Sequence, residues 1–120
     1  MNNKSFGMVG ETVACRYLAK NNYEILEKNF FFKGGEIDII AMDKIKKEIV
    51  FFEVKTRASK KYGNASEAVD PTKIRHILRG IKIFLRIKRW ENKYVRLDVL
   101  ELYYYRDKDK FFINHIKGII

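Results

Sequence analysis

Three residues able to do chemistry lie close together in this sequence: Asp38, Glu53 and Lys55. Glu53 follows an apolar run, Ile49-Val50-Phe51-Phe52. An ionised carboxylate beside an apolar interior is expensive unless it is paired or bound to a metal. Lys55, two residues on, could neutralise it as a half-buried ion pair at a strand end; that is the plain structural reading. Asp38 adds a second acid and Glu36 a third. One lysine does not balance two or three acids at close range. A divalent cation would, and oxygen ligands of this kind suit Mg²⁺ or Mn²⁺. Held by Asp38 and Glu53, such an ion would activate a water and relieve the charge building on a phosphodiester. Lys55 would hold the attacking water or stabilise that charge. The backbone carbonyl of Val54 would complete the protein ligands. Glu11 could hold a water on the metal, or a second ion.

These residues need elements to position them. Ser5 is placed to cap a helix over residues 6–20. Val9, Val13, Ala14, Tyr17 and Leu18 fall on one side of it, and Glu11 leans toward that side. Residues 23–32 read as a strand, Lys33-Gly34-Gly35 as a tight turn, 36–42 as a second strand and 48–56 as a third. Alternation then puts Glu36, Asp38 and Ile40 on one face of the second strand, and Ile37 and Ile39 on the other. In the third, Ile49, Phe51, Glu53 and Lys55 share a face. Its apolar run marks a central strand covered on both sides. Asp70-Pro71 starts a helix that runs to about residue 89, with Ile74, Ile77, Leu78, Ile81, Phe84 and Leu85 as its buried stripe. Residues 94–105 and 110–117 make two more strands. The order α-β-β-β-α-β-β implies an α/β domain, with a mixed sheet of about five strands flanked by helices.

A lone Glu-x-Lys says little, since Glu91-Asn92-Lys93 matches it in a polar turn. The fuller pattern is more specific: an acid in a strand after a Gly-Gly turn, an apolar strand ending Glu-x-Lys, then a basic helix. The chain of 120 residues supports one domain. Its net charge of +10 favours polyanion partners. Lys73, Arg75, Arg79, Lys82, Arg86, Lys88 and Arg89 have no acid among them on the second helix. With Arg57, Lys60 and Lys61 they offer a phosphate-binding surface. DNA is expected in preference to RNA. The apolar runs are strand-sized, so no membrane span is expected. The first ten residues hold no apolar stretch ahead of a cleavage site, and the single cysteine, Cys15, suits a reducing cytoplasm. Tyr103, Tyr104 and Tyr105 read as strand packing and rim, Cys15 as a helix-face core residue and Phe111-Phe112-Ile113 as core strand. The tail Gly118-Ile119-Ile120 either packs on the domain or seals a dimer.

Gly34-Gly35-Glu36-Ile37-Asp38-Ile39-Ile40-Ala41, followed by Phe51-Phe52-Glu53-Val54-Lys55-Thr56-Arg57, resembles the PD-(D/E)XK nuclease superfamily. More closely, the chain resembles the YraN family of small bacterial proteins. Gly10-Glu11-x-x-Ala14-x-x-Tyr17-Leu18, Asn29, Tyr62-Gly63, Ala68-Val69-Asp70, Lys73 and Arg96-Leu97-Asp98-Val99 extend the likeness along almost the whole chain. The resemblance implies a restriction-endonuclease-like core related to archaeal Holliday-junction resolvases. It implies Asp38, Glu53 and Lys55 as the metal and catalytic set, with Glu11 as the helix-borne acid. The expected function is a Mg²⁺-dependent endonuclease acting on branched or structured DNA, with a homodimer as the natural form for a junction cutter. Two alternatives stand: a nucleic-acid-binding module that does not cut, and an adaptor whose basic face docks an acidic protein.

Overall fold

The computed structural model describes residues 3–58 and 70–120, with side chains from residue 6 onward. Its elements are α1 (Asn3–Lys20), β1 (Tyr23–Phe32), β2 (Gly35–Asp43), β3 (Glu48–Arg57), α2 (Pro71–Lys88), β4 (Val95–Tyr105) and β5 (Lys110–Ile116). The strands form one sheet in the order β1-β2-β3-β4-β5. Neighbours are antiparallel except β3 and β4, which run parallel. A parallel pair needs a long crossover, and the segment carrying α2 supplies it. The expected α/β architecture and element order are both present. No helix among the described residues is long and apolar enough to cross a membrane.

Each helix covers one face of the sheet. Ala14 and Leu18 of α1 pack with Ile39, Ala41, Val50, Phe52, Leu100 and Leu102. Ile77, Ile81, Phe84 and Leu85 of α2 pack with Ile37, Ile40, Ile49, Phe51 and Leu97 on the other face. Successive residues of β3 thus enter opposite cores, as its apolar run requires. Helix α2 starts where Asp70, in extended backbone, accepts the Lys73 N–H at 2.8 Å, with Pro71 next. It ends where Arg89 turns left-handed at φ 60°.

Four expectations need correction. Helix α1 begins at Asn3, so Ser5 lies inside it rather than capping it. Val9 faces solvent, and Gly10 joins Val13, Ala14, Tyr17 and Leu18 on the side that meets the sheet. A Cβ at Gly10 would collide with the Thr56 side chain, so glycine is what lets the helix approach β3. Phe112 is 46% exposed on the outer strand β5, while Phe111 and Ile113 pack inward. Alternation also fails in β2, because Ile37 and Ile40 both face α2 while Ile39 faces α1. The cause is a local break in pairing. Asn29 sits at φ 54°, and the β1–β2 ladder passes over Asn29 and Asp38. The C-terminal tail packs on the domain: Ile119 N–H donates to the Leu97 carbonyl at 2.7 Å.

Candidate functional site

The site begins where β2 leaves β3. Pairing between them runs from Asp43↔Glu48 to Ile39↔Phe52 and stops there. One more step of that register would set Asp38 opposite Glu53. Instead the Asp38 side chain turns to the edge of β3, and its Oδ2 accepts the Val54 N–H at 2.8 Å. A backbone donor that has lost its strand partner is satisfied by a carboxylate. Asp38 lies against the strand edge, and Glu53 follows Ile49 and Phe51 onto the α2 face. They remain within electrostatic reach. The Asp38 carboxyl is pushed up to about 7, first by burial and then by the Glu53 charge, with Glu36 adding to it.

Glu53 is buried, and two ammonium groups meet its Oε1. Lys73 Nζ from α2 stands at 2.7 Å and Lys55 Nζ at 3.4 Å. The Lys55 amine is pulled below its ordinary value, first by burial and then by Lys73 beside it. For Lys73, burial works against the charge. The hydrogen bond and charge of Glu53, with Asp38 behind, outweigh it and hold this amine above its ordinary value. Lys73 thus belongs to the acid cluster, not to a free outer surface.

On the other side of the splay, Asp38, Glu36, Glu11, Asn29, Val54 and Thr56 line a recess of about 530 Å³. The Asn29 side-chain amide donates to Glu11 Oε1 at 3.0 Å, tying α1 to the break in β1. The helix-borne acid thus reaches the same recess as Asp38. Among the described residues, no three His, Cys, Asp or Glu side chains gather as a ready-made ligand set. Mg²⁺ is usually bound through one or two carboxylates and keeps several waters, so the test of fit falls on Asp38 and its neighbours. Asp38, Glu53 and the Val54 carbonyl would be the holders. The fit rests on acids crowding a buried carboxyl that receives one backbone N–H.

Comparison with known proteins places the chain. The model of the family described as the uncharacterised protein family UPF0102 matches residues 10–102. The chain belongs to the UPF0102 family. A UPF0102 protein of Clostridium perfringens is 46% identical over 116 residues, covering 96% of this chain and 93% of its own. One from Caldanaerobacter subterraneus subsp. tengcongensis is 43% identical over 119 residues, covering 97% and 94%. Another, from Caldicellulosiruptor saccharolyticus, is 44% identical and covers 98% of both chains. The matched segment of this UPF0102 protein includes Glu11, Asp38, Glu53, Lys55 and Lys73.

The expected phosphate-binding residues divide. Arg75, Lys82 and Arg86 are exposed on α2. Arg75 also donates to Thr72 Oγ1 at 3.2 Å. Arg79 is docked on the β1–β2 turn, donating to the Lys33 carbonyl. Arg57 lies 3.9 Å from Glu101 of β4 rather than standing out in solvent. Lys60 and Lys61, with Tyr62-Gly63 and Ala68-Val69, lie outside the described residues.

Sequence reasoning missed two features of this UPF0102 chain. One is the contact of Lys73 with Glu53. Its signal is a lysine at the third position of a helix, where a capping box prefers Glu or Gln. The other is a buried network at the far end of the sheet. Arg96 grips Asp98 through two bonds of 2.8 and 2.9 Å, and reaches Asp43 at 3.1 Å, Glu48 at 2.9 Å and the Tyr23 hydroxyl at 2.7 Å. His115 bonds Asp98 at 2.7 Å and the Tyr17 hydroxyl at 2.9 Å. Its signal is the acid and base buried in the otherwise apolar Val95-Arg96-Leu97-Asp98-Val99 run.

Proposed function

We propose that this UPF0102 protein is a metal-dependent endonuclease of the PD-(D/E)XK type, cutting phosphodiesters of DNA. The observation that carries the reading is the sorting of charge at the β2–β3 splay. Glu36 and Asp38 crowd together beside the recess, within reach of the Glu53 charge, while Lys55 and Lys73 both converge on Glu53. Each group is poorly matched with itself. Together they complement a dication bound to a phosphodiester. Mg²⁺ or Mn²⁺ held by Asp38, Glu53 and the Val54 carbonyl would supply charge relief and an acidified water. Asp38 stays fixed by the Val54 N–H, so it needs no rearrangement to serve as a ligand. Lys55, with its amine lowered by burial and by Lys73, is suited to exchange a proton with that water or to steady the developing charge. Glu11, anchored by Asn29, would orient a water from the recess. The exposed Arg75, Lys82 and Arg86 would take phosphates beyond the scissile one. Branched or structured DNA is the proposed substrate, and a homodimer would bring two such sites to two strands. The cytoplasm is the proposed compartment.

A second reading, binding without cutting, has one observation in its favour: Glu53 already has two ammonium partners and is not stranded without a metal. Cleavage assays separate the readings. Linear, nicked, flapped and four-way DNAs are incubated with Mg²⁺ or Mn²⁺. The endonuclease reading predicts cutting by wild-type protein and a loss of about a hundredfold or more in folded Lys55→Ala. Salt-sensitive binding of all four DNAs with no cutting of any would establish the second reading instead.

A further inference from the structure

Lys73 has no role in the structural economy of its own helix. It lies in the first turn of α2, which contains no acid. Helix N-termini carry partial positive charge, so a cation there is disfavoured. The helix cap is made by Asp70, which needs only the Lys73 backbone N–H. Nothing in α2 therefore calls for a lysine side chain at this position. What its ammonium does is cross to β3 and take Glu53 Oε1 at 2.7 Å, closer than Lys55 at 3.4 Å.

We infer that Lys73 guards the candidate site, occupying the Glu53 oxygen that a divalent cation must take, so that cation and ammonium compete for one carboxylate. The inference rests on the endonuclease reading and adds to it an order of loading. While no dication is bound, Lys73 neutralises Glu53 and keeps a buried acid from facing Asp38 uncompensated. When a dication takes Glu53, the ammonium is released beside Lys55. Two cations then stand free of their acid, where the scissile phosphate must lie. Metal loading and anion binding are thereby coupled through one side chain, without a moving domain. Glu53 is 7% exposed, whereas the Lys73 side chain is 37% exposed, so the lysine is the partner able to swing away.

The test is a calorimetric titration of Mn²⁺ into metal-free protein, with no nucleic acid present. Four proteins are compared: wild type, Lys73→Met, Lys73→Gln and Glu53→Gln. Removing the ammonium while keeping the stem should tighten Mn²⁺ binding by about two- to fivefold, the size of a half-exposed ion pair. Either Lys73 variant suffices if the other folds poorly. Glu53→Gln should lose the binding, which shows that the heat reports this site. Equal or weaker Mn²⁺ affinity in the Lys73 variants, with binding still lost in Glu53→Gln, overturns the guard and leaves the metal reading standing. No Mn²⁺ binding by wild type and by the Lys73 variants overturns both.

Discussion

Asp98 and Asp38 are both carboxylates set among the strands of one sheet, and they behave in opposite ways. Asp98 is fully buried, yet its carboxyl is held below the usual range. Burial pushes it up, but hydrogen bonds from His115, Arg96 and the Gly118 N–H pull it down. Four donors meet its two oxygens: Arg96 Nε and Gly118 N at Oδ1, Arg96 Nη2 and His115 Nε2 at Oδ2. Asp38 is less buried, takes one backbone N–H and faces Glu53 and Glu36, and its carboxyl rises to about 7. Burial alone therefore does not set which way a carboxyl shifts. The supply of donors decides. One end of the sheet is a finished polar network that binds Tyr17, Tyr23, Asp43, Arg96, Asp98 and His115 into the fold. The other end holds Asp38 with one backbone donor and two acidic neighbours, the uneven charge on which the proposed dication site rests.

The sharpest way to break the comparison is at the finished end. Asp98→Ala leaves Arg96 buried without its bidentate partner. A cost of about 3–5 kcal/mol is expected in urea denaturation. A cost under about 1 kcal/mol would mean that this network is as loose as the other.

The next effect is smaller and opposite in sign. Asp38 binds its proton more tightly in the folded protein than in the unfolded chain. Its contribution to stability is complete below about pH 4 and is lost as pH rises toward 7. Asp98 and Asp43, both lowered, do the reverse: their contribution is present above about pH 4 and lost as pH falls below it. Asp38→Asn can still accept the Val54 N–H and does not titrate. Without metal it should be more stable than wild type by about 1–2 kcal/mol at pH 8, and by nothing at pH 4. Denaturation curves at the two pH values check this. A variant less stable than wild type at pH 8 would place Asp38 with Asp98 as a structural acid.

The smallest effect concerns the outer face of α2. Lys82→Ala and Arg86→Ala should leave stability unchanged and reduce the salt dependence of DNA binding by about one unit of slope each. Arg57→Ala should instead disturb the fold near Glu101. Binding measured across a range of salt concentrations separates the two behaviours.

Much of this was readable from residue types. The Asp70-Pro71 start of α2, the two-faced apolar run of β3 and the crossover from β3 to β4 all follow from local pattern. So did the pairing of Asp38 with Glu53 as neighbours in the fold. The break in β2 was hidden, because Glu36-Ile37-Asp38-Ile39 alternates well as a sequence. Its cause lies in another strand, at the left-handed backbone of Asn29. Val9 was misplaced for a related reason: helical spacing fits it, but the close approach at Gly10 sets which side meets the sheet. Lys73 was read as one cation in a basic helix, since spacing along the chain does not show that the first turn of α2 abuts Glu53. The Arg96 network draws on six separate elements and the tail, and no local window contains it.

The most direct measurement is thermal melting of wild type and Asp38→Asn at pH 8, with and without millimolar Mg²⁺. A ligand that binds only the folded state raises its stability in proportion to occupancy. Mg²⁺ should raise the melting temperature of wild type, increasingly with concentration, and leave Asp38→Asn unmoved. Equal shifts in both proteins, or none in wild type, would contradict the claim that Asp38 and its acidic neighbours form a dication site.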